Sequence, residues 1–106
     1  NGASVATGSK DRTIKIWNME TGELKRELIG PQWSVHSLVI NQDNELICGS
    51  TYTTLTIWNM TTGEVKKSLN GHYGSVTSLA VNQDNELISG SGDRTIKIWR
   101  KIKEIF

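Results

Sequence analysis

Residues 13–17, Thr-Ile-Lys-Ile-Trp, return as Thr54-Leu55-Thr56-Ile57-Trp58 and again, unchanged, as Thr95-Ile96-Lys97-Ile98-Trp99. Each stretch is a short alternating run of β-formers closed by a Trp, and successive tryptophans stand 41 residues apart. A period of about 40 to 45 residues, made of short strands and Gly-containing turns, marks the blade of a propeller rather than a helical solenoid. The expected fold is all-β, a partial β-propeller of four-stranded antiparallel blades.

The repeat runs deeper than its tryptophans. Asn-Gln-Asp-Asn-Glu-Leu-Ile occupies 41–47 and 82–88, and Ser37-Leu38 returns as Ser78-Leu79. Residues 8–17 and 90–99 differ only at Lys10 against Gly92, which makes these two units close copies. The chain's 106 residues hold about two and a half periods, whereas a propeller takes roughly four to eight blades. The offset sets Asn1-Gly2 on Gln42-Asp43, so the first unit is entered after its first strand. The expected organisation is a partial blade over 1–30 that lacks its innermost strand, a complete blade over 31–70, and a third blade over 71–106 with an irregular C-terminal strand or tail.

Within the middle unit, residues 34–40 and 45–50 read as a hairpin around the polar turn Asn41-Gln42-Asp43-Asn44. Residues 54–58 form a third strand and 64–69 a more polar fourth, whose Lys66 and Lys67 suit an exposed outer edge. Ile14, Ile16 and Trp17 project to both sides of one strand, which fits a blade covered by neighbours on both faces. Twelve Lys plus Arg against eleven Asp plus Glu leave a net charge of +1 with no block of like charge, so neither a nucleic-acid nor a membrane partner is expected. Cys48 is the single cysteine and the two histidines are far apart in sequence, which predicts no disulfide, no metal and a reducing, cytoplasmic setting. No phosphate loop or paired-carboxylate site emerges, and no cofactor is expected.

Gly71-His72, Ser89-Gly90-Ser91, Asp93 and Trp99, in that order, resemble the WD40 repeat, in which Gly-His opens a unit and Trp-Asp closes it. The closing dipeptide departs from the pattern, being Trp17-Asn18, Trp58-Asn59 and Trp99-Arg100. His72, Ser89 and Asp93 are also the residue types of an acyl-transfer triad. The resemblance implies a structural role instead: a hydrogen-bonded chain from Trp99 through Ser89 and His72 to Asp93. In the first unit the offset supplies Thr7, Asp11 and Trp17, and its histidine would precede Asn1. In the middle unit it places Pro31, Cys48 and Tyr52 at the histidine, hydroxyl and aspartate positions, leaving Trp58 alone.

The resemblance further implies an interaction platform with no catalytic residues, whose partners use a rim formed by loops 9–12, 30–34, 50–53, 71–75 and 91–94. Residues there that break the repeat are the informative ones: Trp33 stands where Gly74 does, Gln32 where Tyr73 does, and Tyr52 where Asp93 does. Trp33, Tyr52 and Tyr73 on one rim would anchor a protein or peptide; alternatively Trp33 and Tyr52 fill the space left by the absent His and Asp. Arg12 and Arg94, equivalent in the repeat, read first as solvated turn charges that pair locally and stand as secondary candidates for the rim. The leading function is a protein-interaction scaffold, a propeller fragment of a longer chain whose other blades lie in cis. Two alternatives stand: closure of a ring by identical copies in trans, and a regulatory or targeting region of a multidomain enzyme such as a kinase or nucleotide hydrolase.

Overall fold

The computed structural model describes residues 4–8, 13–29, 35–50 and 53–100, and these form ten strands and no helix. They are β1 (Ser4–Gly8), β2 (Thr13–Asn18), β3 (Leu24–Ile29), β4 (Val35–Ile40), β5 (Glu45–Ser50), β6 (Leu55–Asn59), β7 (Val65–Leu69), β8 (Val76–Val81), β9 (Leu87–Ser91) and β10 (Ile96–Trp99). Sequential strands pair antiparallel into three sheets, ordered β1-β2-β3, β4-β5-β6-β7 and β8-β9-β10. The sequence period is visible in the irregularities. The register shifts at Ile16/Trp17 and again at Ile57/Trp58, and at Val35/Ser37 and again at Val76/Ser78.

Short polar side chains close the turns. Asn41 Oδ1 accepts from the backbone N–H groups of Asp43 (3.0 Å) and Glu45 (2.9 Å), while Asn44 takes a left-handed conformation with φ 61°. Asn82 repeats the arrangement, with Asn85 at φ 62°. Asparagine suits both tasks, since its amide mimics a backbone turn and it tolerates the left-handed region. Between β2 and β3, and between β6 and β7, Asn18 and Asn59 receive two backbone N–H groups each, and Gly22 and Gly63 supply the positive φ.

The middle sheet is apolar on both faces because a sheet lies on either side. Leu46, Cys48 and Trp58 pack with Ile14, Ile16 and Leu28 of the first sheet. Ile47, Leu55, Ile57 and Leu69 pack with Val76 and Leu87 of the third. Close approach of the innermost strands depends on glycine: a Cβ at Gly49 would stand 2.6 Å from Val76 Cγ1, and one at Gly8 2.6 Å from Val35 Cγ1. Polar clamps join the sheets at their margins. Gln42 N donates to Asn85 Oδ1 (2.8 Å), Gln42 Nε2 reaches the carbonyls of Asn82 and Gln83, and Asn85 Nδ2 donates to Asp43 Oδ2 (3.1 Å). On the outer side Arg26 donates to the carbonyls of Thr61 (2.7 Å) and Thr62 (3.3 Å).

Two expectations change in detail. Coverage on both faces holds for the middle sheet alone, since Val5 on the first sheet and Ile96 and Ile98 on the third face outward, 42%, 76% and 65% exposed. Lys66 is not merely an edge charge either. It pairs with Glu45, whose carboxylate is buried beside Asn41. Any fourth strand in the tail falls on 101–106, outside the described residues.

Candidate functional site

The third sheet carries an unbroken polar chain. Trp99, on β10, lies opposite Leu87 of β9, which brings its indole Nε1 to Ser89 Oγ at 2.9 Å. Ser89 Oγ lies 2.7 Å from His72 Nε2, and His72 Nδ1 lies 3.0 Å from Asp93 Oδ2. Ser89 Oγ accepts a hydrogen bond from the indole N–H and turns its own hydrogen toward Nε2; with Nε2 as acceptor, a neutral His72 carries its hydrogen on Nδ1, facing Asp93 Oδ2.

Asp93 is the hub of the chain. Oδ2 also accepts from the backbone N–H of Tyr73 at 2.8 Å, and Oδ1 from the backbone N–H and hydroxyl of Thr95. The Thr95 hydroxyl and the Tyr73 N–H, together with His72, hold the Asp93 carboxyl well below the usual carboxylate range. These bonds tie the loop before β8 to the turn between β9 and β10, since His72 and Tyr73 stand on the first and Asp93 on the second. Gly74 fits against that turn because a Cβ there would meet the Asp93 backbone nitrogen at 2.8 Å.

The Ser-His-Asp distances would suit an acyl-transfer triad, but the placement does not. Ser89 is fully buried, the His72 side chain is inaccessible, and the serine oxygen is engaged by Trp99. A nucleophile needs an open approach to its substrate. The arrangement therefore positions a loop.

The other units carry less of the chain. In the first sheet Trp17 Nε1 donates to Thr7 Oγ1 at 3.0 Å; Asp11 lies outside the described residues. In the middle sheet Cys48 occupies the hydroxyl position, and Trp58 Nε1 is buried with no hydrogen-bond partner among the described residues. Burial pushes the Cys48 thiol above its ordinary value, so the sulfur stays protonated. The 41-residue offset had left Trp58 alone in this unit, with Cys48 at the hydroxyl position.

Of the rim candidates, Tyr73 and Arg94 are described; Arg12, Gln32, Trp33 and Tyr52 lie outside the described residues, as does Pro31. Tyr73 is 91% exposed although its backbone is fixed by Asp93. It borders a surface pocket of about 460 Å³ lined also by Thr53, Asn70, Gly71 and His72. Arg94 is exposed at φ 70° in the neighbouring turn. Asn70 and Thr53 were missed at the sequence level because neither breaks a motif; only folding brings the two segments to one pocket. Among the described residues no cluster of His, Cys, Asp or Glu is arranged to hold a metal.

Comparison with known proteins agrees with this architecture. The family profile described as "WD domain, G-beta repeat" matches residues 1–18 and 63–100, more than half of the chain. It leaves out residues 19–62, which hold most of the middle unit, where the polar chain is lost. Pre-mRNA-splicing factor PRP46 of Kluyveromyces lactis is 51% identical over 37 residues, 35% of this chain and 8% of that protein. WD repeat-containing protein pop1 of Schizosaccharomyces pombe is 36% identical over 44 residues, 42% of this chain and 6% of that protein. The chain thus spans less than a tenth of either relative. The crystal structure of the computationally designed Ika4 protein superposes with TM-score 0.79 at 30% identity, over 93% of this chain and 61% of that one. The WD40 β-propeller domain of Doa1 superposes with TM-score 0.83 at 23% identity, over 94% of this chain and 34% of that one, a likeness of fold alone.

Proposed function

The chain belongs to the WD40 family, and on that premise we propose that its sheets serve as part of a propeller scaffold that binds a protein or peptide through the rim beside β8 and has no catalysis of its own. The observation that carries this reading is Tyr73: an almost fully exposed aromatic on a backbone pinned by Asp93 and His72. An ordered backbone lowers the entropic cost of binding, and tyrosine offers a large, amphipathic contact with few rotors. The pocket next to it, lined by Thr53, Asn70, Gly71 and His72, gives a partner side chain a place to enter. Fully buried Ser89 is the reason for leaving catalysis out.

In this reading the remaining blades of the ring are supplied by other parts of a longer chain. The cytoplasm is the compartment proposed, because a lone buried thiol such as Cys48 suits a reducing environment. Tyr73→Ala tests the rim. Captured partners should bind the variant at least about tenfold more weakly, as for an aromatic hot spot, with unchanged thermal stability. Met19→Ala, on an exposed turn of the first sheet, should retain them. Equal capture by both variants sinks the rim assignment.

A further inference from the structure

Asn70-Gly71 is the two-residue link between β7 and the anchored loop. Before it, Leu69 is buried in the cluster of Leu55, Ile57 and Val76; after it, His72 is buried and held by Ser89 and Asp93. The link itself is exposed. Among the described residues neither the Asn70 side chain nor the Gly71 N–H has a hydrogen-bond partner. Other turn asparagines differ on both counts. Asn18, Asn41, Asn59 and Asn82 each spend the side-chain oxygen on backbone N–H groups, and each precedes Met or Gln rather than Gly. Packing requires glycine at 71, since a Cβ there would stand 2.9 Å from Cη2 of Trp99, whose indole is fixed by Ser89.

We propose that Asn70 is a modification site: in the folded protein its amide converts to a carboxylate by attack of the following backbone nitrogen, and the conversion loosens the His72 anchor. The Gly71 nitrogen, having lost its proton to hydroxide, bonds to Asn70 Cγ. The Cγ–Nδ2 bond breaks, the leaving nitrogen takes a proton from water and departs as ammonia, and a succinimide ring remains. Glycine lacks the Cβ that would hinder this approach. Water then adds to either ring carbonyl and opens the ring. One opening yields aspartate with the main chain unchanged; the other yields isoaspartate, in which the main chain runs through Cβ and Cγ and gains one carbon. Either product puts a negative charge on the pocket that Asn70 lines with Thr53, His72 and Tyr73. The isoaspartyl product also adds length between two fixed points, buried Leu69 and buried His72, and so strains the hydrogen bonds of His72 to Ser89 and Asp93. Nothing in this chemistry depends on what binds the rim.

The test holds the full 106-residue chain at mildly alkaline pH, folded and in denaturant in parallel, and follows each asparagine by peptide mass spectrometry with aspartyl and isoaspartyl forms separated. Asn1-Gly2, the chain's other Asn-Gly pair, lies outside the described residues and maps to a separate peptide. In the folded chain Asn70 should convert at a rate comparable to that in denaturant and ahead of Asn18, Asn41, Asn59 and Asn82. The isolated isoaspartyl form should melt about 5 °C or more below the fresh chain. Asn70→Gln, whose longer side chain must close a larger ring, should keep its amide and its melting temperature through the same treatment. Freshly prepared Asn70→Asp, which has the charge without the added carbon, should melt with the parent. An Asn70 amide that survives in the folded chain while the denatured chain loses it overturns the site. An isoaspartyl form that melts with the fresh chain, or an Asn70→Asp variant destabilised as much as that form, overturns the loosened anchor.

Discussion

At the scale of single residues, three tryptophans in one place in the repeat have three different fates. Trp99 donates into Ser89 and the full chain, Trp17 donates into Thr7, and Trp58 is buried with its indole N–H unpaired among the described residues. A buried donor without an acceptor forfeits its desolvation free energy, roughly 1–3 kcal/mol. Restoring the acceptor should recover part of it: Cys48→Ser is expected to stabilise the fold by about 1 kcal/mol in chemical denaturation. The opposite change, His72→Ala, leaves Ser89 and Asp93 short of a partner and should cost about 1–3 kcal/mol. A stability lowered by Cys48→Ser, or untouched by His72→Ala, removes the polar chain from the account. The members of this chain were legible from motif and offset. Its hub was not, because the Tyr73 and Thr95 bonds to Asp93 depend on backbone geometry that residue types do not encode.

At the scale of elements, the same glycine plays unequal parts in successive strands. Gly8, Gly49 and Gly90 are equivalent by the 41-residue offset. A Cβ at Gly49 would press on Val76 and Ser37, whereas one at Gly90 meets only the Ser78 hydroxyl, which can rotate away. Gly49→Ala should therefore destabilise by about 1–3 kcal/mol through overpacking, while Gly90→Ala should stay within about 0.5 kcal/mol of the parent. Equal losses in thermal denaturation would show that the glycines serve backbone conformation rather than sheet approach. The strands and the Asn-led turns were readable from alternation and turn residues. The clamps of Gln42 on Asn85 and of Arg26 on Thr61 were not, because they join units whose relative placement no local pattern specifies.

At the scale of the whole molecule, the middle sheet presents one apolar face to the sheet before it and one to the sheet after, while the first and third sheets each pack one face on the middle sheet. Ile14 and Ile16 are covered by the middle sheet; Ile96 and Ile98, the same residues in the same motif, face solvent. Exposed apolar surface of this kind favours association. Sedimentation of the 106-residue chain should show concentration-dependent self-association that the double substitution Ile96→Lys with Ile98→Lys suppresses without lowering the melting temperature. Association undiminished in the double variant would place the contact elsewhere. This outcome bears on ring closure by identical copies, one of the readings left open by the repeat.

The sequence by itself determined the blade: the period, the alternation, the turn asparagines and glycines, and the family, because these are local patterns repeated at a fixed spacing. Folding alone settled which copy of each residue is buried and which separate segments meet at one surface, as Thr53 and Asn70 do beside Tyr73. Near-identical stretches meet different neighbours, and burial is a property of the neighbour as much as of the residue.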